Sequence, residues 1–178
     1  MKKLLLLVMI AIFAAGSMQA QTEKGDMAIG VNITPAFEDG WSTVGIGVKY
    51  QYNIIDHLRM EPNVNYYFKK DYTSVWDLGV NFHWLFNVIE NLHLYPIAGI
   101  GVAGASFDFD GAYDDILGED FGDYIEGSNT SITRFAFNLG AGVEYMFTDN
   151  ISANFEYKRR LSSDLGQNLI SIGVGYHF

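Results

Sequence analysis

Over most of its length the chain alternates with period two, and the apolar half of the alternation faces glycine and charge across each strand. Near the C-terminus Ile170, Ile172, Val174, Tyr176 and Phe178 share one parity, and Ser171, Gly173, Gly175 and His177 the other. The same split sets Phe135, Phe137, Leu139, Val143, Tyr145 and Phe147 against Arg134, Asn138, Gly140, Gly142 and Glu144. It also sets Trp76, Leu78, Val80, Phe82 and Trp84 against Asp77, Gly79, Asn81 and His83. Successive side chains of a strand point to opposite faces, so this period predicts strands. Eight are expected, near 26–35, 42–53, 58–69, 74–87, 92–105, 132–147, 151–161 and 167–178. The fifth is the least regular, because Tyr95 and Ile97 fall on its polar parity.

Alternation alone leaves open which face is inside, and size breaks the tie. The polar parity carries Lys49, Arg59, Glu61, Asp77, Arg134, Glu144, Glu156, Lys158 and Arg160 interleaved with Gly30, Gly45, Gly47, Gly99, Gly140 and Gly173. A solvent-exposed face has no need of so many glycines, which weaken strands and are favoured where space is short. An eight-stranded barrel is just wide enough inside for side chains to fill, so long charged residues there need small neighbours. The polar face therefore reads as the lumen, and the greasy face as an outside that only lipid tolerates. Aromatics gather toward the strand ends as interfacial girdles do. Tyr52, Trp84, Phe86, Tyr145, Phe147, Tyr176 and Phe178 belong near one rim, and Phe68, Trp76 and Phe135 near the other.

An open strand edge in hydrocarbon would leave backbone groups unpaired at several kcal/mol each, so the sheet must close. An even strand number then puts both termini on one side. An internal repeat marks the hairpins on that side: Asn53-Ile54-Ile55-Asp56-His57-Leu58 and Asn87-Val88-Ile89-Glu90-Asn91-Leu92, each followed four residues later by Pro62 or Pro96. A proline removes a ladder donor, and a bulge or a water-satisfied carbonyl is expected at both. Thr148-Asp149-Asn150 is the third and tightest turn of that side.

The first twenty residues read as an address. Lys2 and Lys3 precede an apolar run from Leu4 to Ala15 and a small, polar stretch ending at Ala20, the order of a secretory signal. Cleavage is expected between Ala20 and Gln21, with the position after Ser17 as the fallback, making 1–20 a signal peptide and 21–178 the barrel domain. The run is too short to span a bilayer as a helix. The chain has 11 basic and 21 acidic residues, a net charge of −10, which argues against a nucleic-acid partner. The absence of cysteine excludes disulfides, Cys-based zinc sites, thiol nucleophiles and a lipid-anchoring Cys.

The signal, the alternating segments, the stretch Gly-Ala-Gly-Val-Glu-Tyr-Met-Phe-Thr-Asp-Asn at 140–150 and the final Tyr176-His177-Phe178 together resemble the small OmpA/OmpX-like outer-membrane β-barrels of Gram-negative bacteria. The resemblance spans about the whole mature chain and rests on patterns more than on fixed residues. It implies an all-β, eight-stranded, antiparallel, up-and-down transmembrane barrel; unlike OmpA, the sequence is expected to carry no peptidoglycan-binding domain behind it. It also implies that Phe178, with Tyr176, Val174 and Ile172 at alternate positions before it, signals to the barrel-assembly machinery.

The lumen reads as a plug of paired charges more than as a channel. A hairpin centred at Ile55 sets Lys49 opposite Glu61, and Arg134, Lys158 and Arg160 are offered Glu144, Glu156 and Asp77 as partners. The segment 106–131 is the long loop of the far side. It carries Asp108, Asp110, Asp114, Asp115, Glu119, Asp120 and Asp123 among aromatics, a candidate site for contact with an extracellular protein or glycan. Divalent cations prefer such oxygens, yet Asp108-Phe109-Asp110-Gly111 lacks the EF-hand series, and no metal site is assigned.

Two other matches carry no chemistry. Gly99-Ile100-Gly101-Val102-Ala103-Gly104 fits the dinucleotide fingerprint in letters, but no helix pattern follows, and no cofactor is expected. The histidines 57, 83, 93 and 177 form no close metal pair in sequence. Lipid A editing, known among eight-stranded barrels, would need an activated Ser with His and a carboxylate. No His-x-Ser occurs, and Ser42, Ser74, Ser106, Ser162 and Ser163 near the outer rim have no His at their end. The expectation is a non-enzymatic outer-membrane barrel with a structural or adhesion-like role; a lipid A-modifying enzyme, a narrow channel and a soluble barrel with an apolar ligand are the alternatives.

Overall fold

In the computed structural model, residues 23–38, 41–70, 72–107 and 130–178 are described. They form β1 (Met27–Glu38), β2 (Trp41–Ile55), β3 (Leu58–Lys70), β4 (Thr73–Trp84), β5 (Phe86–Ile89), β6 (Leu92–Phe107), β7 (Thr130–Met146), β8 (Ile151–Leu161) and β9 (Gln167–His177). Every ladder is antiparallel, and β1 pairs with both β2 and β9 while β4 pairs with β6, so the sheet closes on itself. Segments β4 and β5 are one strand interrupted at Leu85, and the barrel has the eight staves that the alternation predicts. The expected strand limits hold within a few residues.

The alternation is inverted as expected. Along β1 the burial of Ala28, Gly30, Asn32, Thr34 and Ala36 alternates with exposure of Ile29, Val31 and Ile33. The outward residues Leu139, Phe137 and Ile172 are 53%, 53% and 59% exposed, while Glu61, Glu144 and Glu156 are fully enclosed. In water this arrangement would expose the core and bury the charges; in lipid it places each group in the medium it prefers. The girdle aromatics lie outward, with Tyr52 and Phe86 half-buried among their neighbours and the rest exposed.

The hairpin repeat is structural as well as sequential. The β2–β3 register shifts between Asn53 and Ile55, and the β5–β6 register shifts between Asn87 and Ile89, the equivalent place. Asn53 pairs with Arg59 and Asn87 with His93, so Arg59 and His93 are equivalent positions. Of the two outcomes expected at the prolines, a bulge or a water-satisfied carbonyl, the bulge does not form: the registers run unshifted past Pro62 and Pro96. At Pro96 the strand opposite is interrupted at Leu85 without changing register, and the Leu85 amide extends the ladder with the β3 side by donating to His57 O at 2.8 Å.

The irregular fifth strand finds its reason in the lumen. Leu85, Tyr95 and Ile97 point inward as a small apolar cluster, and His83 stacks on Tyr95 with ring centroids 4.6 Å apart. Tyr95 has room because residue 142 is Gly: a Cβ there would come within 2.5 Å of the ring. A second inward cluster of Ala36, Tyr67, Val75, Ala103, Ala105, Leu165 and Leu169 caps the lumen at the end opposite the termini, hereafter the loop end. Gly45 makes the corresponding space for the Tyr67 ring.

Candidate functional site: a filled lumen and its open mouth

Three layers of charge fill the barrel. Beneath the apolar cap, Arg160 donates to Asp77, to Tyr67 Oη at 3.1 Å and to Gln167 Oε1 at 3.0 Å. In the middle layer Lys49 Nζ meets Glu156 Oε1 at 2.8 Å, Asn154 Oδ1 at 2.9 Å and Glu61 Oε2 at 3.4 Å. Lys158 reaches Glu156 from the other side at 3.0 Å, and the Tyr95 hydroxyl donates to Glu156 Oε1 at 3.0 Å. In the layer nearest the termini the Arg59 guanidinium donates to Glu144 Oε2 at 2.7 Å and to Asn53 Oδ1 at 3.2 Å. Charges withdrawn from water are tolerated when paired and hydrogen-bonded, which these are.

Eight of the nine lumen residues named from sequence therefore come together, and one does not. Arg134 has the inward parity but lies beyond the last β7–β8 pair, Phe137 with Leu161, and its guanidinium turns to Asp164 at 2.8 Å, 42% exposed. Parity reports in or out, whereas height along the axis decides whether an inward residue is inside the lumen or beyond it. The Lys49–Glu61 contact forms diagonally. Asn63 is the cross-strand neighbour of Lys49, because the hairpin turns at Asp56–His57 and not at Ile55, and the one-residue shift between Asn53 and Ile55 sets the rest of the register. Glu144 is paired by Arg59, a combination the sequence reading did not include.

Sequence reasoning also missed the neutral part of the network. Asn32, Asn63, Asn65, Asn81, Asn138 and Asn154 lie between the charged layers. Asn32 donates to Asn65 at 3.0 Å, Asn65 to Asp77 at 2.8 Å and Asn138 to Asn81 at 3.1 Å. The inward parity of Asn63 and Asn65 was a signal that could have found them. Ile172, Val174, Tyr176 and Phe178 all face outward, 53–65% exposed. Ala20, Gln21 and the acidic loop residues Asp108 to Asp123 lie outside the described residues.

A serine and a histidine do meet, at the end of the barrel that carries the termini. Ser152 Oγ lies 2.9 Å from His177 Nε2 and 3.1 Å from Glu144 Oε1. The carboxylate can only accept, so the single hydroxyl proton goes to Glu144, and Nε2–H of His177 donates to Oγ. This proton order is the reverse of what a nucleophile requires, where the imidazole accepts from the hydroxyl. Glu61, His83 and Glu156 also bring potential metal ligands within 4.8 Å of one another. Their carboxylates already hold the ammonium groups of Lys49 and Lys158, which a cation would have to displace.

The lumen opens toward the termini into a pocket of about 370 Å³, whose lining includes Asp26, Met27, Asn53, Arg59, Glu90, His93, Met146, Asp149, His177 and Phe178. At the loop end Arg159 pairs with Glu38 through both guanidinium nitrogens, at the rim and half-exposed.

Comparison with known proteins agrees with this architecture. The virulence membrane protein PagC of Salmonella typhimurium is 27% identical over 149 residues, which cover 75% of this chain and 76% of PagC. Neisserial surface protein A superposes with a TM-score of 0.64 at 17% identity, over 86% of this chain and 96% of that one. The attachment invasion locus protein Ail of Yersinia pestis, in complex with the heparin analogue sucrose octasulfate, superposes with a TM-score of 0.59 at 20% identity, over 87% of this chain and 99% of that one. Residues 4–178 match the family described as outer membrane protein beta-barrel domain, which is consistent with the closure, the inverted alternation and the paired lumen. The chain belongs to that family, a barrel of the Gram-negative outer membrane.

Proposed function

We propose that the barrel is a non-catalytic, non-conducting scaffold that holds an extracellular contact surface, with the loop 106–131 as its principal element. The observation that carries this reading is the filling of the lumen: three tiers of cross-lumen pairs and an apolar cap leave the loop end as the place for recognition. Between Phe107 and Ser131 the chain has eight carboxylates and no Lys or Arg. Asp108, Asp110, Asp114, Asp115, Glu119, Asp120 and Asp123 give it a charge that repels polyanions at moderate ionic strength. A sulfated glycan, the kind of ligand seen on Ail, is therefore disfavoured here, and a basic protein segment is the partner we assign. In the same reading residues 1–20 are removed between Ala20 and Gln21, and Ile172, Val174, Tyr176 and Phe178 engage the barrel-assembly machinery during insertion.

The test uses the purified barrel in detergent micelles and a variant lacking 107–126, with polylysine and sucrose octasulfate as probes. The intact protein should bind polylysine in a salt-sensitive manner and ignore the polyanion, and the deletion should abolish binding while keeping the heat-modifiable gel band of a closed barrel. Equal polylysine binding by both proteins, or binding of sucrose octasulfate by the intact one, would overturn the assignment.

A further inference from the structure

We propose that the middle layer of the lumen is a binding site for one buried water molecule, held by His83, Glu61 and Glu156. All three side chains are fully enclosed, and a ring nitrogen of His83 and one oxygen of each carboxylate lie within 4.8 Å of one another. Atoms so spaced share a point within about 2.8 Å of all three, the length of an O–H···O hydrogen bond. His83 itself requires an occupant there. Neither of its ring nitrogens has a hydrogen-bond partner among the described residues, and a buried polar group left in that condition is costly. Its Nε2 stands 3.7 Å from Glu61 Oε1, too far for a direct hydrogen bond and within reach of a water-mediated one. The ring is held at that distance, because it stacks on Tyr95 at 4.6 Å and the Tyr95 hydroxyl is tied to Glu156 at 3.0 Å. Glu156 Oε2 has no hydrogen bond either, only the charge of Lys158 at 3.0 Å.

Charge and donor count select water over an ion. Among the described residues the buried charges of the lumen balance, four Lys and Arg against four Asp and Glu. A metal ion would add uncompensated positive charge to a cylinder jacketed by lipid, whereas water adds none. Its two O–H groups donate to Glu61 and Glu156, and its oxygen accepts the ring N–H that His83 turns toward them. Three hydrogen bonds are the usual complement of a buried water. The bridge steadies both carboxylates without competing for their lysines, so a neutral link closes the plug at its centre. The site lies in the lumen and is independent of what the loop 106–131 binds.

The experiment uses the protein folded in micelles with ¹⁵N-labelled histidine. The His83 ring N–H should be protected from solvent exchange and should give a nuclear Overhauser cross-peak at the water frequency, with the sign that a long-lived bound water produces. Oxygen-17 relaxation dispersion, which counts long-lived internal waters, should find one fewer in His83→Phe, a variant that keeps a ring for Tyr95 to stack on and lacks both nitrogens. Treatment with EDTA should change neither signal. Should His83→Phe fail to give the heat-modifiable band, the cross-peak and its indifference to EDTA in the wild-type protein decide the matter. No water cross-peak at His83, an unchanged count in a folded His83→Phe, or loss of the signals on EDTA treatment would overturn the site, the last by making the occupant a metal ion.

Discussion

Arg59 on β3 and Glu144 on β7 face one another across the lumen, three staves apart, and their charged groups meet at 2.7 Å with neither side chain more than 3% exposed. Removing one partner leaves the other charge buried in a closed, lipid-jacketed cylinder. Glu144→Ala should therefore destabilise the barrel by about 3–5 kcal/mol, and the double variant Arg59→Met, Glu144→Leu should recover most of that loss. Urea unfolding followed by the gel shift between folded and unfolded bands measures both. Equal stability of the single and double variants would mean that the pair is not the unit.

Arg134 and Asp164 form an ion pair of similar length at the loop end, but the side chains are 42% and 57% exposed. Solvent screens such a pair, and Asp164→Ala should change stability by less than about 1 kcal/mol in the same assay. The contrast with Glu144→Ala tests whether position along the axis, and not parity, sets the value of an inward charge.

Leu139 lies on the outer face, 53% exposed. On a water-soluble protein a charge at such a position is usually neutral within about 0.5 kcal/mol. On a lipid-facing wall Leu139→Arg should cost about 2–4 kcal/mol if the residue lies near the bilayer midplane. Unfolding from phospholipid vesicles measures it, and a neutral result would put this face in contact with something other than hydrocarbon.

Tyr95 occupies the space that Gly142 leaves, and a Cβ at 142 would press on its ring at 2.5 Å. Gly142→Ala should cost about 1–3 kcal/mol through overpacking, and Tyr95→Leu should relieve part of that strain. Because Tyr95 also donates to Glu156, the relief is expected to be incomplete. Gel-shift unfolding midpoints of the three variants give the coupling.

The middle layer of Lys49, Glu61, Glu156 and Lys158 lies across the bore. Planar bilayers containing the protein should show no stable unitary conductance of porin size. Lipid A from cells with and without the protein should give the same mass spectrum, since Ser152 donates its proton to Glu144 and accepts from His177. A sustained conductance or a shifted lipid A mass would each refute the corresponding half of the scaffold reading.

Period two was enough to predict the strands, their number and their faces, because a strand's side-chain direction is set by its own backbone and needs no neighbour. The glycines on the polar parity identified the inside for the same local reason: a small residue marks crowding on its own face. Even the irregularity at Tyr95 and Ile97 was visible, although its purpose required the lumen. What sequence alone could not supply was everything that depends on how strands slide past one another. The position of the β2–β3 turn and the shift at Asn53 made Asn63 the neighbour of Lys49, and β7 carried Arg134 beyond the end of its ladder with β8, onto Asp164, while leaving Glu144 for Arg59. Ser152 and His177 stand 25 positions apart in sequence and meet only because β8 pairs with β9 in one register. Local alternation thus determined which residues face inward, and closure of the barrel decided which of them touch, since a cross-lumen contact depends on register and stagger summed around the whole ring.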